Sequence, residues 1–360
     1  VKQLFKSSDV KTEAIQYLPS KLHPKTKELM QVLFSSDTRD DALAAFDLDI
    51  KRLPLGVPSQ QHIQTGVLIL ADIENKLNGG QIPDSYDELS SRFYSAIPHS
   101  FHRGQRPPVI NNQVSLQHRF DMCNVLLDMF TQNETVREVE EKQHVKHVPY
   151  PADSHYDTLH AKLEFIDHGM EEWKTIQNYF DATKRSGILI DAWRVNRDGE
   201  GQRFSKFDGL ENRRLLWHGT NIAVVAPILT SGLRIMPHSG GRVGAGIYLA
   251  SMQEKSAQYT RGSNKFACMF LCEGALGKAH VIEDDDWSIK KPPPGFDSVL
   301  AIGRISPRTW KDIQVEEKNV SVPQSGPVDQ KENSSFHHDE FLVYDEGQVR
   351  IRYVLTVKLY

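Results

Sequence analysis

The amino-acid sequence predicts an α+β chain, an all-α bundle of several helices followed by a domain built on antiparallel sheet, and three observations carry that expectation. Over the first 150 residues apolar side chains return at helical spacing between Pro, Gly and Ser punctuation. From about residue 155 the pattern changes to short β-branched and aromatic runs with turns between them. At 360 residues the chain is too long for one typical domain and comfortable for two, each able to bury its own core.

In the helical half, Ile63, Val67, Leu70 and Leu77 follow the helical repeat. Leu116, Phe120, Cys123, Leu127 and Phe130 follow in steps of four and three, which places every member on one face of an amphipathic helix. Leu53-Pro54-Leu55-Gly56, Asn78-Gly79-Gly80 and Arg106-Pro107-Pro108 divide the segment into separate helices. The charged stretch from Arg137 to His147 reads as a linker or an exposed helix end. In the second half the clearest element is the C-terminus. Phe341-Leu342-Val343-Tyr344 meets the turn Asp345-Glu346-Gly347-Gln348, and Val349, Ile351, Tyr353, Leu355, Val357 and Leu359 then alternate with polar residues, as in a half-buried strand. A hairpin is the simplest arrangement of the two runs. Gln324 to Ser335 and Lys290 to Gly295 read as surface loops.

Composition excludes several classes. The 43 Lys+Arg against 47 Asp+Glu give a net charge of -4, without the basic excess of a nucleic-acid-binding domain. Three cysteines, an odd number, argue against a disulfide framework and favour a reducing interior. No apolar run reaches the ~18 residues of a membrane span, so no membrane partner is expected. The start, Val1-Lys2-Gln3-Leu4-Phe5-Lys6, is neither a signal peptide nor a methionine start, so the chain is expected to be a piece of a longer protein.

Four local signals carry chemistry. Leu215-Leu216-Trp217-His218-Gly219-Thr220 is an apolar strand ending in an imidazole, a glycine that lets a ligand approach the backbone, and a hydroxyl. Gly232-Leu233-Arg234, followed by the glycine-dense run Ser239 to Tyr248, either cradles a phosphate or merely turns. It is not a dinucleotide fingerprint, because Leu249 stands where the third small residue belongs and no strand–turn–helix unit surrounds it; a Rossmann fold and hydride transfer lose their support. Ser256-Ala257-Gln258-Tyr259 sets a hydroxyl and a ring three apart, with core packing the simpler role for Tyr259. Glu340 opens an apolar strand, where an ionised carboxylate is costly unless partnered; a solvated strand end is the plain alternative. Cys268 and Cys272 lack further ligands, and no metal site is expected.

Together these segments resemble the poly(ADP-ribose) polymerase family over roughly residues 18 to 360. Leu215 to Thr220, Gly232 to Pro237, Gly244 to Ala250, Lys255 to Tyr259, Pro294 to Ser298 and Glu340 to Asp345 are similar to family blocks in order and spacing, as are Leu53 to Gly56, Leu89 to Tyr94, Ile97 to His99 and Leu126 to Asp128 in the helical part. The short loop His238 to Gly244 most resembles the compact DNA-break-responsive members. The resemblance implies a linker at 1–17 from a missing upstream module, a helical regulatory domain at 18–150, and an ADP-ribosyltransferase domain at 155–360. It implies an enzyme that takes NAD+ as substrate, releases nicotinamide and moves ADP-ribose, as one unit or a polymer, onto acceptor proteins, itself among the candidates. DNA breaks would be met through the missing module and the location would be the nucleus. The alternative is an inactive NAD+ or ADP-ribose-binding module of the same fold.

The resemblance assigns roles residue by residue. Gly219, through its backbone, and Ser256, through its hydroxyl, take the nicotinamide carboxamide; Tyr259 stacks on the pyridinium ring and Tyr248 forms the opposite wall. His218, Thr220 and Arg234 hold ribose hydroxyls and the adenosine half. Catalysis falls to His218, Tyr248 and Glu340, with the Glu340 carboxylate stabilising the oxocarbenium-like ribose as nicotinamide leaves. The chain departs from the family pattern at Ala245, usually lysine, at Leu249, usually aromatic, and at Ser251, usually acidic. Pro227, the His338-Asp339 pair and Asn124 depart as well, the last on a helix face that keeps Asp121 and Asp128 acidic.

Overall fold

The computed structural model describes residues 17–44, 46, 48, 58–99, 101, 106–141, 149–235, 241–260 and 266–360. Leu53 to Gly56 and positions 236–240 of the glycine-dense region lie outside these, as do 142–148 of the charged stretch; Arg137 to Glu141 continue a helix.

Helices come first. α1 (Pro24–Leu33) starts where Pro24 supplies a helical φ and His23 Nδ1 accepts the Lys25 N–H at 3.2 Å. α2 (Ser36–Ala44), α3 (Gln60–Leu77), α4 (Tyr86–Ala96) and α5 (Gln113–Glu141) follow. α4 opens on a capping box: Ser85 Oγ accepts the Glu88 N–H at 3.2 Å, and the Glu88 carboxylate accepts the Ser85 N–H at 2.7 Å. One core joins α2 to α5 through Leu43, Ile63, Ile73, Phe93, Phe120 and Leu126. On α5 the expected stripe holds for Leu116, Phe120 and Cys123, after which Leu126 and Met129 are the buried members and Leu127 and Phe130 lie half-buried beside them. The buried face is thus a broad arc rather than a single seam.

After α6 (Pro151–Asp157) the sheet region begins: β1 (Ala161–Phe165), α7 (Glu171–Thr183), β2 (Ile188–Arg197), α8 (Glu200–Phe204), β3 (Arg213–Gly219), α9 (Val225–Ser231), β4 (Ile247–Ala250) and α10 (Gln253–Ala257). Ten strands complete it: β5 (Phe266–Ala275), β6 (Ala279–Ile282), β7 (Ser298–Ala301), β8 (Gly303–Pro307), β9 (Trp310–Val315), β10 (Lys318–Pro323), β11 (Pro327–Asp329), β12 (Phe336–His338), β13 (Glu340–Val343) and β14 (Val349–Lys358). The large sheet runs β1-β2-β14-β5-β3-β4-β13-β7-β6, with β10 and β9 attached at β3; β11-β8-β12 form a smaller one. Most pairings are antiparallel, but β10 on β3, β6 on β7 and β12 on β8 are parallel, so the region is mixed rather than purely antiparallel.

Three sequence readings are corrected here. β13 and β14 do not form a hairpin: β13 pairs with β4 and β7, whereas β14 lies between β2 and β5. Both runs are buried along nearly their whole length, as strands covered on both faces are, and both edges of each are taken by other strands, so a short turn, with the Asp345 carboxylate accepting the Gly347 N–H at 2.7 Å, redirects the chain between them. β14 is accordingly not half-buried; Arg352 on its polar side is itself inside, donating to Glu273 at 2.7 Å. The stretch Gln324 to Ser335, expected as loop, contributes β11.

α1 belongs physically with the sheet. Leu29, Met30 and Leu33 share a core with Trp193, Val195 and Leu229, and the Trp193 indole N–H donates to Thr26 Oγ1 at 3.0 Å.

Candidate active site

Three neighbouring strands bring the central candidates together. Trp217 of β3 pairs with Ala250 of β4, and Ala250 pairs with Glu340 of β13, so these residues form one row across the sheet. His218 adjoins that row on β3, and Tyr248 lies two residues along β4. The described β3–β4 pairing is confined to Trp217 and Ala250. Beside it, His218 Nδ1 sits 3.0 Å from the Tyr248 carbonyl, a bond only a protonated Nδ1 makes. The neutral ring therefore keeps Nε2 as its acceptor. Burial holds the imidazole below its ordinary 6.5 against the pull of that carbonyl, so it is neutral at neutral pH.

The frame behind the row is set by α7, a helix the sequence reading did not foresee. The buried Tyr179 hydroxyl reaches the carbonyls of Leu215 and Ser251, each at 3.1 Å, and ties β3 to the end of β4. The Trp217 indole N–H donates to Thr183 Oγ1 at 3.2 Å. Ser256 on α10 is buried and donates to the Trp217 carbonyl at 3.1 Å, which brings its hydroxyl to the strand end that carries Gly219. Gly219 has a second reason to be glycine, unseen in the sequence: a Cβ there would lie 1.8 Å from the Ser256 carbonyl oxygen, so α10 closes directly on the strand.

Tyr248 spends its hydroxyl on the glycine-dense turn, accepting the Val243 N–H at 3.0 Å and donating to the Gly244 carbonyl at 2.8 Å. Gly244 has φ +73° and faces the Ile289 carbonyl with no room for a Cβ, so the turn tolerates no other residue there. The ring of Tyr248 is thereby a fixed wall. Tyr259 is 56% exposed, so the core role offered by the sequence does not hold; the Lys255 Nζ sits 5.4 Å from its ring centroid. Thr220 is half-buried just after β3.

Glu340 is neither solvated nor alone: it is 5% exposed, and one carboxylate oxygen lies 2.8 Å from the Lys255 ammonium. Burial is the largest single influence and works to lower the Lys255 pKa, but the Glu340 charge, Tyr259 and the hydrogen bonds to both together outweigh it and keep the ammonium charged. Lys255 is the site residue that sequence reasoning passed over; it stood in a quoted block, but no local spacing connects it to a strand so far along the chain. Arg234 is set apart from the row. Its guanidinium is in ion-pair contact with Asp128 of α5, and the adjoining Ile235 N–H donates to Glu346 at 2.7 Å. Among the described residues no group of three or more His, Cys, Asp or Glu is placed to hold a metal ion, and no helix is long and apolar enough to cross a membrane.

The chain matches the poly(ADP-ribose) polymerase catalytic domain over residues 170–359 and the poly(ADP-ribose) polymerase regulatory domain over 20–156. It is 46% identical over 357 residues to the protein mono-ADP-ribosyltransferase PARP3 of Mus musculus, covering 95% of this chain and 66% of that protein. The Homo sapiens PARP3 is 44% identical, with 97% and 68% covered, and poly [ADP-ribose] polymerase 1 of Gallus gallus 31% identical, with 94% and 34% covered. The chain thus spans about two thirds of the length of the first pair and about one third of the last. On these matches, and with a helical region followed by a mixed, largely antiparallel sheet, the chain belongs to the poly(ADP-ribose) polymerase family.

Proposed function

We propose that the chain cleaves NAD+ at the nicotinamide–ribose bond and transfers ADP-ribose to protein acceptors, with residues 155–360 as the catalytic part and 18–150 as its regulatory part. The observation that carries this is the buried Glu340–Lys255 pair beside His218 and Tyr248. Burying an ionised carboxylate costs several kcal/mol, of order, before its partner repays part of it. A fixed anion of this kind suits a reaction that builds positive charge on a ribose as neutral nicotinamide departs.

The other roles follow from what each side chain still has to offer. Gly219 and Ser256 take the carboxamide, the first through its backbone N–H and C=O. Tyr248 offers a ring face, since its hydroxyl is already used, and Tyr259 is free to stack from outside. His218 offers Nε2 to a ribose hydroxyl; Thr220 and Arg234 serve the adenosine half. Arg234 can do so only after leaving Asp128, which gives the helical bundle a hold on NAD+ entry. Single-unit transfer is the finer expectation, because the relatives at 46% and 44% identity carry the name mono-ADP-ribosyltransferase. Nuclear location, and DNA breaks met through a further module, come from the family.

Release of nicotinamide from labelled NAD+ by the chain and by Glu340→Gln, with products sized on a gel, tests the proposal. The variant should bind NAD+ but turn over about 10²–10³-fold more slowly. No release by the wild-type chain, or by a folded protein from which α2 to α5 have been removed, would leave a binding module instead.

A further inference from the structure

Four ionisable side chains meet where α10 faces β12 and β13, and the chemistry above uses two of them. Lys255 and Glu340 form the inner pair at 2.8 Å. Next to it His338 is 2% exposed, its Nε2 has no hydrogen-bond partner, and that nitrogen lies 3.7 Å from the Glu254 carboxylate, too far for a hydrogen bond and close enough for charge to be felt. The other Glu254 oxygen faces Arg185 Nη1 at 3.8 Å, and the Arg185 side chain is 82% exposed. Such a loose, solvated pair cancels little of the carboxylate's charge. His338 does not cancel it either, because burial and the nearby His337 and Lys255 push its imidazole down to about 4, leaving it neutral.

The direction in which Glu254 faces matters. Ser256 points inward to the Trp217 carbonyl. At about 100° per residue, Glu254, two positions earlier, lies about 200° round the helix, turned away from the proposed nicotinamide seat. It nevertheless stays beside the strand that carries Glu340 and is partly open to solvent, with a quarter of its side chain exposed. A nucleophile attacking the ribose must arrive on the side opposite the departing nicotinamide. With nicotinamide seated at Gly219 and Ser256 as proposed above, that side is the one turned towards Glu340, Lys255 and the rim at Glu254.

We infer that Glu254, backed by a His338 whose Nε2 has no hydrogen-bond partner, sets the charge of the acceptor: it favours nucleophiles flanked by cationic side chains and disfavours those flanked by carboxylates or phosphates, an attached ADP-ribose unit included. The inference rests on the transferase function proposed above. Its physical content is a single unneutralised carboxylate acting across a partly solvated rim, where one charge changes a preference by about tenfold.

The experiment offers the chain two acceptor peptides, identical at the nucleophile and flanked by Lys in one and Glu in the other. The ratio of labelled products is read for wild type, Glu254→Gln and Glu254→Lys, with nicotinamide release measured in the same reactions. Wild type should prefer the Lys-flanked peptide by about tenfold, Glu254→Gln should approach parity and Glu254→Lys should reverse the order. Release of nicotinamide with the same acceptor ratio in all three proteins overturns this inference and leaves the transferase function standing. Absence of nicotinamide release by the wild-type chain overturns both.

Discussion

Replacing Asp128 by Asn removes one charge from the contact that joins the helical bundle to Arg234 and leaves the shape unchanged. Two unit charges about 4 Å apart attract by about 4 kcal/mol at an effective dielectric of ~20. Little of that survives. Burial already raises the Asp128 pKa by more than Arg234 lowers it, and the Arg234 side chain is 38% exposed. After discounting for solvent, the net hold is about 1 kcal/mol. If NAD+ must take Arg234 from Asp128, Asp128→Asn should lower the KM for NAD+ by about fivefold, with kcat little changed. Initial rates of nicotinamide release across NAD+ concentrations measure it, and raising the ionic strength should narrow the gap between wild type and variant. In an Arg234→Gln background the gain should disappear, since the two residues act as one unit. An unchanged or higher KM in a variant that melts like wild type would refute the reasoning, as would a gain that survives the loss of Arg234.

Removing α2 to α5 by joining residue 35 to 149 should raise basal nicotinamide release; removing residues 1–150 should instead expose the partners of Leu29, Met30 and Leu33, each worth about 1.5–3 kcal/mol, and yield a poorly folded protein by calorimetry. Equal stability of the two deletions would contradict the place of α1 in the sheet core. His338 titrates near 4 when folded and near 6.5 when unfolded, so the unfolded chain takes the proton first and stability is lost as pH falls from 6.5 towards 4, by up to about 3 kcal/mol. Asp339, raised to about 6, acts in the opposite sense as pH rises from 3.8 to 6, but it is common to wild type and His338→Phe; wild type should lose stability relative to the variant on acidification, and a constant difference between their melting curves would refute the assignment. Gly219→Ala places a methyl group against the Ser256 carbonyl and should cost about 1–3 kcal/mol of stability together with NAD+ affinity, read by thermal melting and titration calorimetry. Wild-type affinity in that variant would show that α10 can withdraw without harm.

The fold class and the change from helices to sheet near residue 155 were legible in the sequence alone, and so was the oddity of His218 and Glu340 as polar residues at the ends of apolar strands, whereas Tyr248 and Ser256 were singled out by the family resemblance. Periodicity is local, and a polar residue set in an apolar strand is conspicuous without coordinates. How those residues meet is set by the packed fold. Pairing among β3, β4 and β13 is non-local, so the apparent C-terminal hairpin was an equally good local solution; it is excluded because β4 and β7 occupy both edges of β13, and β2 and β5 both edges of β14. The same holds for Lys255 beside Glu340, for the Ser256 carbonyl pressed on Gly219, and for Asp128 on Arg234. Each joins groups that no sequence period relates, and their energies depend on desolvation, which is a property of the whole fold rather than of any segment.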